Sequence, residues 1–124
     1  MRRRVPVPAA EQRQPVWLAL SELYLDTELG EADFRRLALV LATSGFSWHD
    51  IKLINYDEVA PVLWQNLLSM AGEWAGWDKA SLVANINEHY TGTHHRFLGS
   101  RRLWVRLVDY FTADWLAQIA TYLP

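Results

Sequence analysis

Apolar residues recur along most of this chain at the three- and four-residue spacing of amphipathic α-helices. The segment 31–43 has the clearest pattern, with one apolar face and two arginines on the opposite side. No segment alternates apolar and polar residues for long enough to predict a strand. The sequence therefore predicts an all-α fold, a compact single-domain bundle of about six helices with short loops. Besides 31–43, the predicted helices cover 16–27, a short stretch after Ser47, 58–71, 79–90 and the residues after Ser100.

Three of the predicted helices carry a long stripe of apolar residues that we expect to face the core. In the first helix the stripe consists of Val16, Trp17, Leu20, Leu23 and Tyr24. In the second helix it consists of Phe34, Leu37, Ala38 and Leu41. In the last helix it consists of Trp104, Leu107, Val108, Phe111, Trp115, Ile119 and Tyr122.

Residues that cap helices stand at several of the predicted helix ends. Gly30 is followed three residues later by Asp33, and Ser47 is followed three residues later by Asp50. Both pairs have the spacing of a capping box, in which side chains satisfy the free N–H groups of the first turn. Residues 55–57 are predicted to form a turn, with the carboxylate of Asp57 capping the next helix.

The first ten residues differ in composition from the rest of the chain. They contain three consecutive arginines and two prolines, which predicts a flexible basic tail over residues 1–10 and a single helical domain over 11–124. Pro15 would then lie in the first helical turn. No apolar stretch follows the arginines, so no secretory signal is predicted, and no apolar run approaches the ~18 residues that span a bilayer. The absence of cysteine excludes disulfides and thiolate metal sites and suits the cytoplasm.

Charge is distributed unevenly, although the formal net charge is only −2. Residues 20–90 hold eleven acidic and four basic residues, whereas the segments on either side have a basic excess. An acidic central part disfavours contact with nucleic acid and permits a cationic protein partner. Contact with a membrane is not expected, and a homodimer stays open.

The histidines are candidate metal ligands. The dipeptide His49–Asp50 resembles the metal dyad of helical phosphohydrolases, but no histidine precedes His49 to complete such a site. His89, His94 and His95 cluster near one predicted turn, yet His89 and His94 are five residues apart, whereas zinc-binding histidines on a helix lie four apart. A surface histidine cluster is therefore favoured, and neither a metal, a cofactor nor a catalytic residue is predicted.

A nucleic-acid-binding site is the second possibility. Residues 47–71 have the outline of a helix-turn-helix, but helix 58–71 opens with Glu58 and contains no arginine or lysine to reach bases or phosphates. A segment near the last helix contains more arginines than helix 58–71 and is a stronger candidate for contact with phosphates. The alternative function is therefore a small regulator or adaptor that contacts nucleic acid through Arg96, Arg101, Arg102 and Arg106. A metal-dependent enzyme that uses the histidines ranks third.

The heptapeptide GEWAGWD at residues 72–78 places two tryptophans in a predicted break between helices. Glycines on either side of Trp74 favour a sharp change of direction. We expect one of Trp74 and Trp77 to seal the junction between helices while the other is presented beside Glu73 and Asp78. A partly exposed tryptophan with an acidic rim is typical of a protein-binding hot spot.

Several of these segments resemble a family of small uncharacterised bacterial proteins. The shared features are the LDTEL turn at 25–29, the EVAP helix start at 58–61 and the AGEWAG corner at 71–76. The resemblance covers roughly residues 15–90 and implies a helical fold without implying an activity. Small, acidic, cysteine-free helical proteins are similar to immunity proteins, which neutralise toxins that bacteria deliver to one another.

The sequence thus favours a non-enzymatic protein-binding protein. The most specific prediction is an immunity protein that binds and occludes a cognate toxin, with a cationic toxin such as a nuclease favoured by the acidic central part. The predicted partner-binding residues lie in the first turn between helices and at the GEWAGWD corner. They are Asp26, Glu28, Glu31, Asp33, Glu73, Trp74, Trp77 and Asp78.

Overall fold

The computed structural model describes residues 8–25, 28–64, 79–91 and 101–124. These ranges contain five helices and no strand, so the all-α prediction is confirmed, with five helices in place of about six. The third helix, α3, has three parts, which are Trp48–Ile54, a π-helical segment Asn55–Val59, and Ala60–Leu63. The other helices are α1 (Pro8–Leu25), α2 (Glu31–Ala42), α4 (Lys79–Thr91) and α5 (Arg101–Thr121).

Helix α1 lies at the centre of the packing. It contacts α2, α4 and the π-helical segment, while α5 packs against α2 and the same π-helical segment. The predicted inward faces of α1 and α2 are both confirmed, since every residue of the two predicted stripes is buried. No helix within the described ranges is long and apolar enough to cross a membrane.

Two of the predicted caps are confirmed. The N–H of Gly30 donates to Asp33 Oδ2 at 2.9 Å, and Ser47 Oγ accepts from the N–H of Asp50 at 3.0 Å. Glycine has no side chain to complete a capping box, so only half of the box exists at the start of α2. Beyond the end of α2, Gly45 has a φ of +91°, a conformation that L-residues with a side chain rarely adopt.

The start of α1 lies upstream of the predicted position. Pro8 to Ala10, which the sequence placed in the basic tail, are helical, and residues 1–7 lie outside the described ranges. Pro15 consequently falls inside α1 rather than in its first turn. Pro15 has no N–H for the carbonyl of Glu11, four residues earlier. Both residues are exposed, so water can hydrogen-bond to this carbonyl.

The predicted turn at residues 55–57 is wrong, because the backbone stays helical from Trp48 to Leu63. The N–H of Ala60 donates to the carbonyl of Asn55, five residues earlier. This hydrogen bond spans one residue more than in an α-helix, which widens the helix locally. Pro61 explains the widening. Its ring would clash with the carbonyl four residues earlier in a regular α-helix, and it has no N–H to donate. Asp57 does not cap a helix here, and its carboxylate pairs instead with Arg101 of α5.

The predicted inward face of α5 is partly wrong. Leu107 is 42% exposed, whereas Thr112 and Leu116, which the predicted stripe omits, are buried beside Val108 and Ile119. The face that packs against α2 and the π-helical segment is narrower than the apolar stripe in the sequence. The aromatic residues of the stripe therefore lie half-buried at its edges; they are Trp104, Phe111, Trp115 and Tyr122.

Candidate functional site

The acidic residues predicted to bind a partner near the start of α2 form ion pairs within the protein. Glu31 Oε2 accepts from Nε and Nη2 of Arg35 at 3.0 and 2.7 Å. Asp33 Oδ1 accepts from Arg36 at 3.2 Å. Glu28 is exposed on the preceding loop. Glu31 and Asp33 thus lie together at the start of α2, and arginines already balance the charge of both.

Arg36 links this cluster to α1. Its guanidinium donates to both carboxylate oxygens of Glu22 at 2.8 and 2.9 Å, in the paired geometry that favours arginine–carboxylate contacts. The N–H of Gly30, followed by Arg36, lowers the pKa of the Asp33 carboxyl. Exposed ion pairs of this kind each contribute little to stability. Their main consequence is that a cationic partner would have to compete with two arginines.

The remaining predicted contact residues cannot be placed. Asp26 and the whole GEWAGWD corner, including Glu73, Trp74, Trp77 and Asp78, lie outside the described residues. Their assignment to a partner surface stays a prediction. The same holds for Arg96 of the alternative basic patch.

The histidines are only partly described. His49 is exposed at the start of α3, and His89 is half-buried near the end of α4. His94 and His95 lie outside the described residues. Over the part of the chain that the structure describes, no group of three or more histidine, aspartate or glutamate residues is arranged to hold a metal ion.

A buried carboxylate that the sequence did not single out joins α1 to α3. Glu58 Oε1 accepts from Trp17 Nε1 at 2.7 Å, and Oε2 accepts from Arg13 at 2.8 Å. The Arg13 guanidinium lies over the rings of Phe46 and Tyr90, 5.3 and 4.9 Å from their centroids. Burial raises the pKa of the Glu58 carboxyl, although both hydrogen bonds act in the opposite direction. Both oxygens of this carboxylate accept hydrogen bonds from α1, so Glu58 links α3 to α1.

The other polar residues of the π-helical segment hold α5 in the same way. The Tyr24 hydroxyl donates to Asn55 Oδ1 at 2.7 Å, and Asn55 contacts Thr112 of α5 at 3.4 Å. The Tyr56 hydroxyl donates to Asp109 at 2.7 Å. Burial, followed by this hydrogen bond, raises the pKa of Tyr56 to about 12. The sequence NYDEV at 55–59 therefore connects α1, α3 and α5 through consecutive side chains.

The outward side of α5 carries a surface feature of a different kind. Leu103, Leu107 and Tyr110 are 64%, 42% and 82% exposed. They are spaced by four and three residues, so they lie in one row along the helix. We call this row the α5 stripe. The sequence does not reveal the α5 stripe, because apolar residues surround most of the N-terminal half of α5. Their spacing alone does not determine which of them face inward.

Basic residues lie beside the α5 stripe. Arg101, Arg102, Val105 and Arg106 line a shallow open hollow on the same helix. Arg101 is held by Asp57, while Arg102 and Arg106 are exposed and form no ion pair with any described residue. Two of the three described members of the predicted basic patch are thus available to an external partner.

A second hollow, of about 270 Å³, lies where α5 meets α3. Three alanines of α5 and the half-buried Trp48 give it a mainly apolar lining, with Lys52 and Asp109 at its edge. Small side chains leave room for a side chain from another molecule.

Comparison with known proteins identifies the family. A family model described as a domain of unknown function, DUF7079, matches residues 11–121. Neither a curated protein nor a solved structure matches the chain. The match extends well beyond residues 15–90, where the sequence resemblance was seen, and includes the segment after His94. With nearly the whole chain covered, the protein belongs to the uncharacterised domain family DUF7079.

Proposed function

We propose that this protein acts by binding another protein and has no catalytic role of its own. The α5 stripe is the observation that carries the proposal. Isolated exposed leucines are common on protein surfaces, but three large apolar side chains in one row form a patch of the kind that marks an interaction site. Tyr110 at 82% exposure is the most prominent of them, and tyrosine is among the residues enriched in binding hot spots.

The most specific form of the proposal is an immunity protein in the cytoplasm that occludes a cognate toxin. This form is supported by the analogy with small, cysteine-free helical immunity proteins. A cationic toxin is less strongly supported, because Arg35 and Arg36 already pair with Glu31 and Asp33. The untested corner residues Trp74 and Trp77 belong to the proposed contact surface as well.

A regulator that binds nucleic acid is the second candidate. Arg102 and Arg106, which pair with no carboxylate in the described ranges, favour it, since cationic side chains contact phosphates. Leu103 and Leu107 do not, because a leucine side chain offers a phosphate backbone no favourable contact. Such binding would be weak and would be lost at physiological salt.

The test is a protection assay with the gene product encoded next to this protein. We expect that reading frame to be toxic when expressed alone and harmless when co-expressed with the wild-type chain. The double variant Leu107→Asp/Tyr110→Asp should fail to protect, and calorimetric titration should show binding weakened by at least about 30-fold, which corresponds to about 2 kcal/mol.

A matched control separates the stripe from a general effect of exposed charge. Leu39→Asp changes a leucine that is 66% exposed on α2, and it should protect as well as the wild type. Thermal unfolding should be similar for all three proteins, because each altered residue is exposed. If no neighbouring product is toxic or bound, the immunity function is wrong. If Leu107→Asp/Tyr110→Asp binds the toxin as tightly as wild type, the α5 stripe is not the contact surface.

A further inference from the structure

The α5 stripe is the beginning of a longer exposed row with heptad spacing. Asp114, Ala117 and Thr121 continue it at intervals of four, three and four residues, and all three are exposed. Alternating intervals of four and three are the pattern by which one helix packs along another. The first half of this row consists of large apolar residues, whereas the second half has none, since it consists of an aspartate, an alanine and a threonine. The docking of another helix is therefore favoured along the N-terminal half of α5.

The geometry of the row distinguishes a helix from an extended segment. Leu103 and Leu107 are about 6 Å apart along the α5 axis, and Leu107 and Tyr110 about 4.5 Å. Residues on one face of a strand repeat about every 6.8 Å, whereas residues on one face of a helix repeat at the same intervals as the stripe. A partner helix that runs nearly parallel or antiparallel to α5 therefore keeps its side chains in step with the stripe.

Charge next to the stripe specifies what the partner helix must carry. Six arginines lie within the described ranges, and four of them are paired with a carboxylate of the protein itself; these are Arg13, Arg35, Arg36 and Arg101. The two that have no such partner in those ranges are Arg102 and Arg106. They are one turn apart on α5, and Arg106 neighbours the stripe because it lies three residues from Leu103 and four from Tyr110.

We propose that the α5 stripe binds an acidic amphipathic helix of the partner protein. Its apolar side chains cover Leu103, Leu107 and Tyr110, and its aspartate or glutamate residues pair with Arg102 and Arg106. This inference rests on the proposed function, in that it names the part of the bound protein that makes the contact. The contact helix of the partner would thus be acidic, whereas the acidic central segment of this chain suggests a cationic partner.

A second copy of this chain fits the stripe less well. Antiparallel copies would bring Asp114 of one chain near Arg102 of the other, which is favourable. However, three side chains per copy bury far less than the roughly 1,200–2,000 Å² of a stable interface. The stripe alone therefore does not support a stable dimer, whereas a partner can add contacts elsewhere on both molecules.

The experiment uses the full chain and three fluorescein-labelled synthetic helices of equal length. The first has leucine at the a and d positions of a heptad and glutamate at e and g. The second replaces glutamate with lysine, and the third replaces leucine with serine. Fluorescence anisotropy should show the glutamate helix binding at least tenfold more tightly than either of the others. Its margin over the lysine helix should shrink as salt is added.

Variants of the protein make the test specific to the stripe. Arg102→Glu/Arg106→Glu should invert the preference so that the lysine helix binds more tightly, while Leu107→Asp should abolish binding of both. Leu39→Asp should bind as the wild type does. Equal binding of the glutamate and lysine helices, or an unchanged preference in Arg102→Glu/Arg106→Glu, would overturn the proposal.

Two further outcomes assign the stripe to another occupant. Sedimentation velocity that shows a wild-type dimer, dissolved by Leu107→Asp and unaffected by the glutamate helix, would identify a second copy. Binding of a labelled DNA duplex at physiological salt, lost in Arg102→Glu/Arg106→Glu, would identify nucleic acid. Either result overturns the acidic helix. The protein-binding function is judged separately, by the protection assay, which does not depend on the preference among synthetic helices.

Discussion

At the scale of single residues, Glu58 shows how burial changes the chemistry of a side chain. Glu58 is only 9% exposed. Removing a carboxylate from water is costly unless hydrogen-bond or charge partners compensate for the lost hydration. Trp17 Nε1 and Arg13 supply two charge-assisted hydrogen bonds, and yet burial has the larger effect and raises the pKa of the carboxyl. Glu58 thus links helices while holding a proton more tightly than an exposed glutamate does.

The raised pKa predicts a pH dependence of stability. A carboxyl with a higher pKa in the folded state stabilises the fold fully below the ordinary pKa of 4.5, and this contribution is lost as pH rises through the folded-state pKa. Glu58→Gln keeps an acceptor for Trp17 and cannot titrate. The free energy of unfolding of wild type, minus that of Glu58→Gln, should therefore fall as pH rises above 4.5.

Urea unfolding of both proteins at a series of pH values measures this difference. Glu31→Gln serves as a control, because it removes an exposed carboxyl that also pairs with an arginine. A difference between wild type and Glu58→Gln that stays constant, or grows with pH, would show that burial does not dominate at this carboxyl.

At the scale of elements, the π-helical segment leaves one backbone carbonyl without a helical donor. In a regular α-helix the Tyr56 carbonyl would accept from the N–H of Ala60, but that N–H donates to Asn55. A donor at position 61 could replace it, but Pro61 has none. Trp104 Nε1 of α5 donates to this carbonyl at 2.8 Å. The irregularity of α3 and the position of α5 are therefore coupled through one hydrogen bond.

This coupling predicts that two substitutions are not additive. Trp104→Phe removes the indole donor, and leaving a buried carbonyl unsatisfied costs about 1–3 kcal/mol in addition to the lost packing. In a Pro61→Ala background the new N–H at position 61 can donate to the Tyr56 carbonyl. The extra cost of Trp104→Phe should therefore be smaller in that background, by about 1 kcal/mol or more.

A double-mutant cycle from urea unfolding of the four proteins tests this prediction. The packing loss on changing tryptophan to phenylalanine is common to both backgrounds and cancels in the cycle. Additive effects of Trp104→Phe and Pro61→Ala would mean that the Tyr56 carbonyl does not depend on Trp104.

At the scale of the whole molecule, the helices differ in how much of their surface is buried. Helix α1 has buried side chains along most of its C-terminal half and contacts three other elements. Helix α5 is longer, yet only Val108, Thr112, Leu116 and Ile119 are buried on it, and its outer face is exposed. Local stability follows the density of buried contacts, so the two helices are not expected to open together.

Native-state hydrogen exchange should reveal this difference. We expect amides in the middle of α5 to exchange through a partial opening, at a lower free energy than amides of α1 near Leu20, which should exchange only through global unfolding. Adding small amounts of denaturant should leave the α5 exchange rates nearly constant while the α1 rates rise. Equal free energies in both helices would indicate that the molecule opens in a single step. A partner helix on the α5 stripe would raise the protection of α5.

Features that depend on local chemistry can be predicted from the order of the residues alone. Phe34, Leu37 and Leu41 face the core because their spacing places them on one side of α2, whatever packs there. The caps at Gly30 and Ser47 follow from a backbone N–H within reach of a side chain three residues away. The pair Glu31 and Arg35 is likewise local, since side chains four residues apart on a helix are neighbours. These interactions need no knowledge of the rest of the molecule.

Features that depend on what a segment packs against are set by the folded arrangement of the helices. Asn55 to Val59 carry residues typical of a turn, but their side chains find partners on α1 and α5, so the backbone stays helical around Pro61. Leu107 belongs to an apolar stripe by spacing, and yet α5 buries a narrower face and leaves it outside. Spacing says which residues share a side of a helix. Exposure is set by the neighbouring helices, which come from distant parts of the chain, and for that reason the α5 stripe could not be recognised from its own segment.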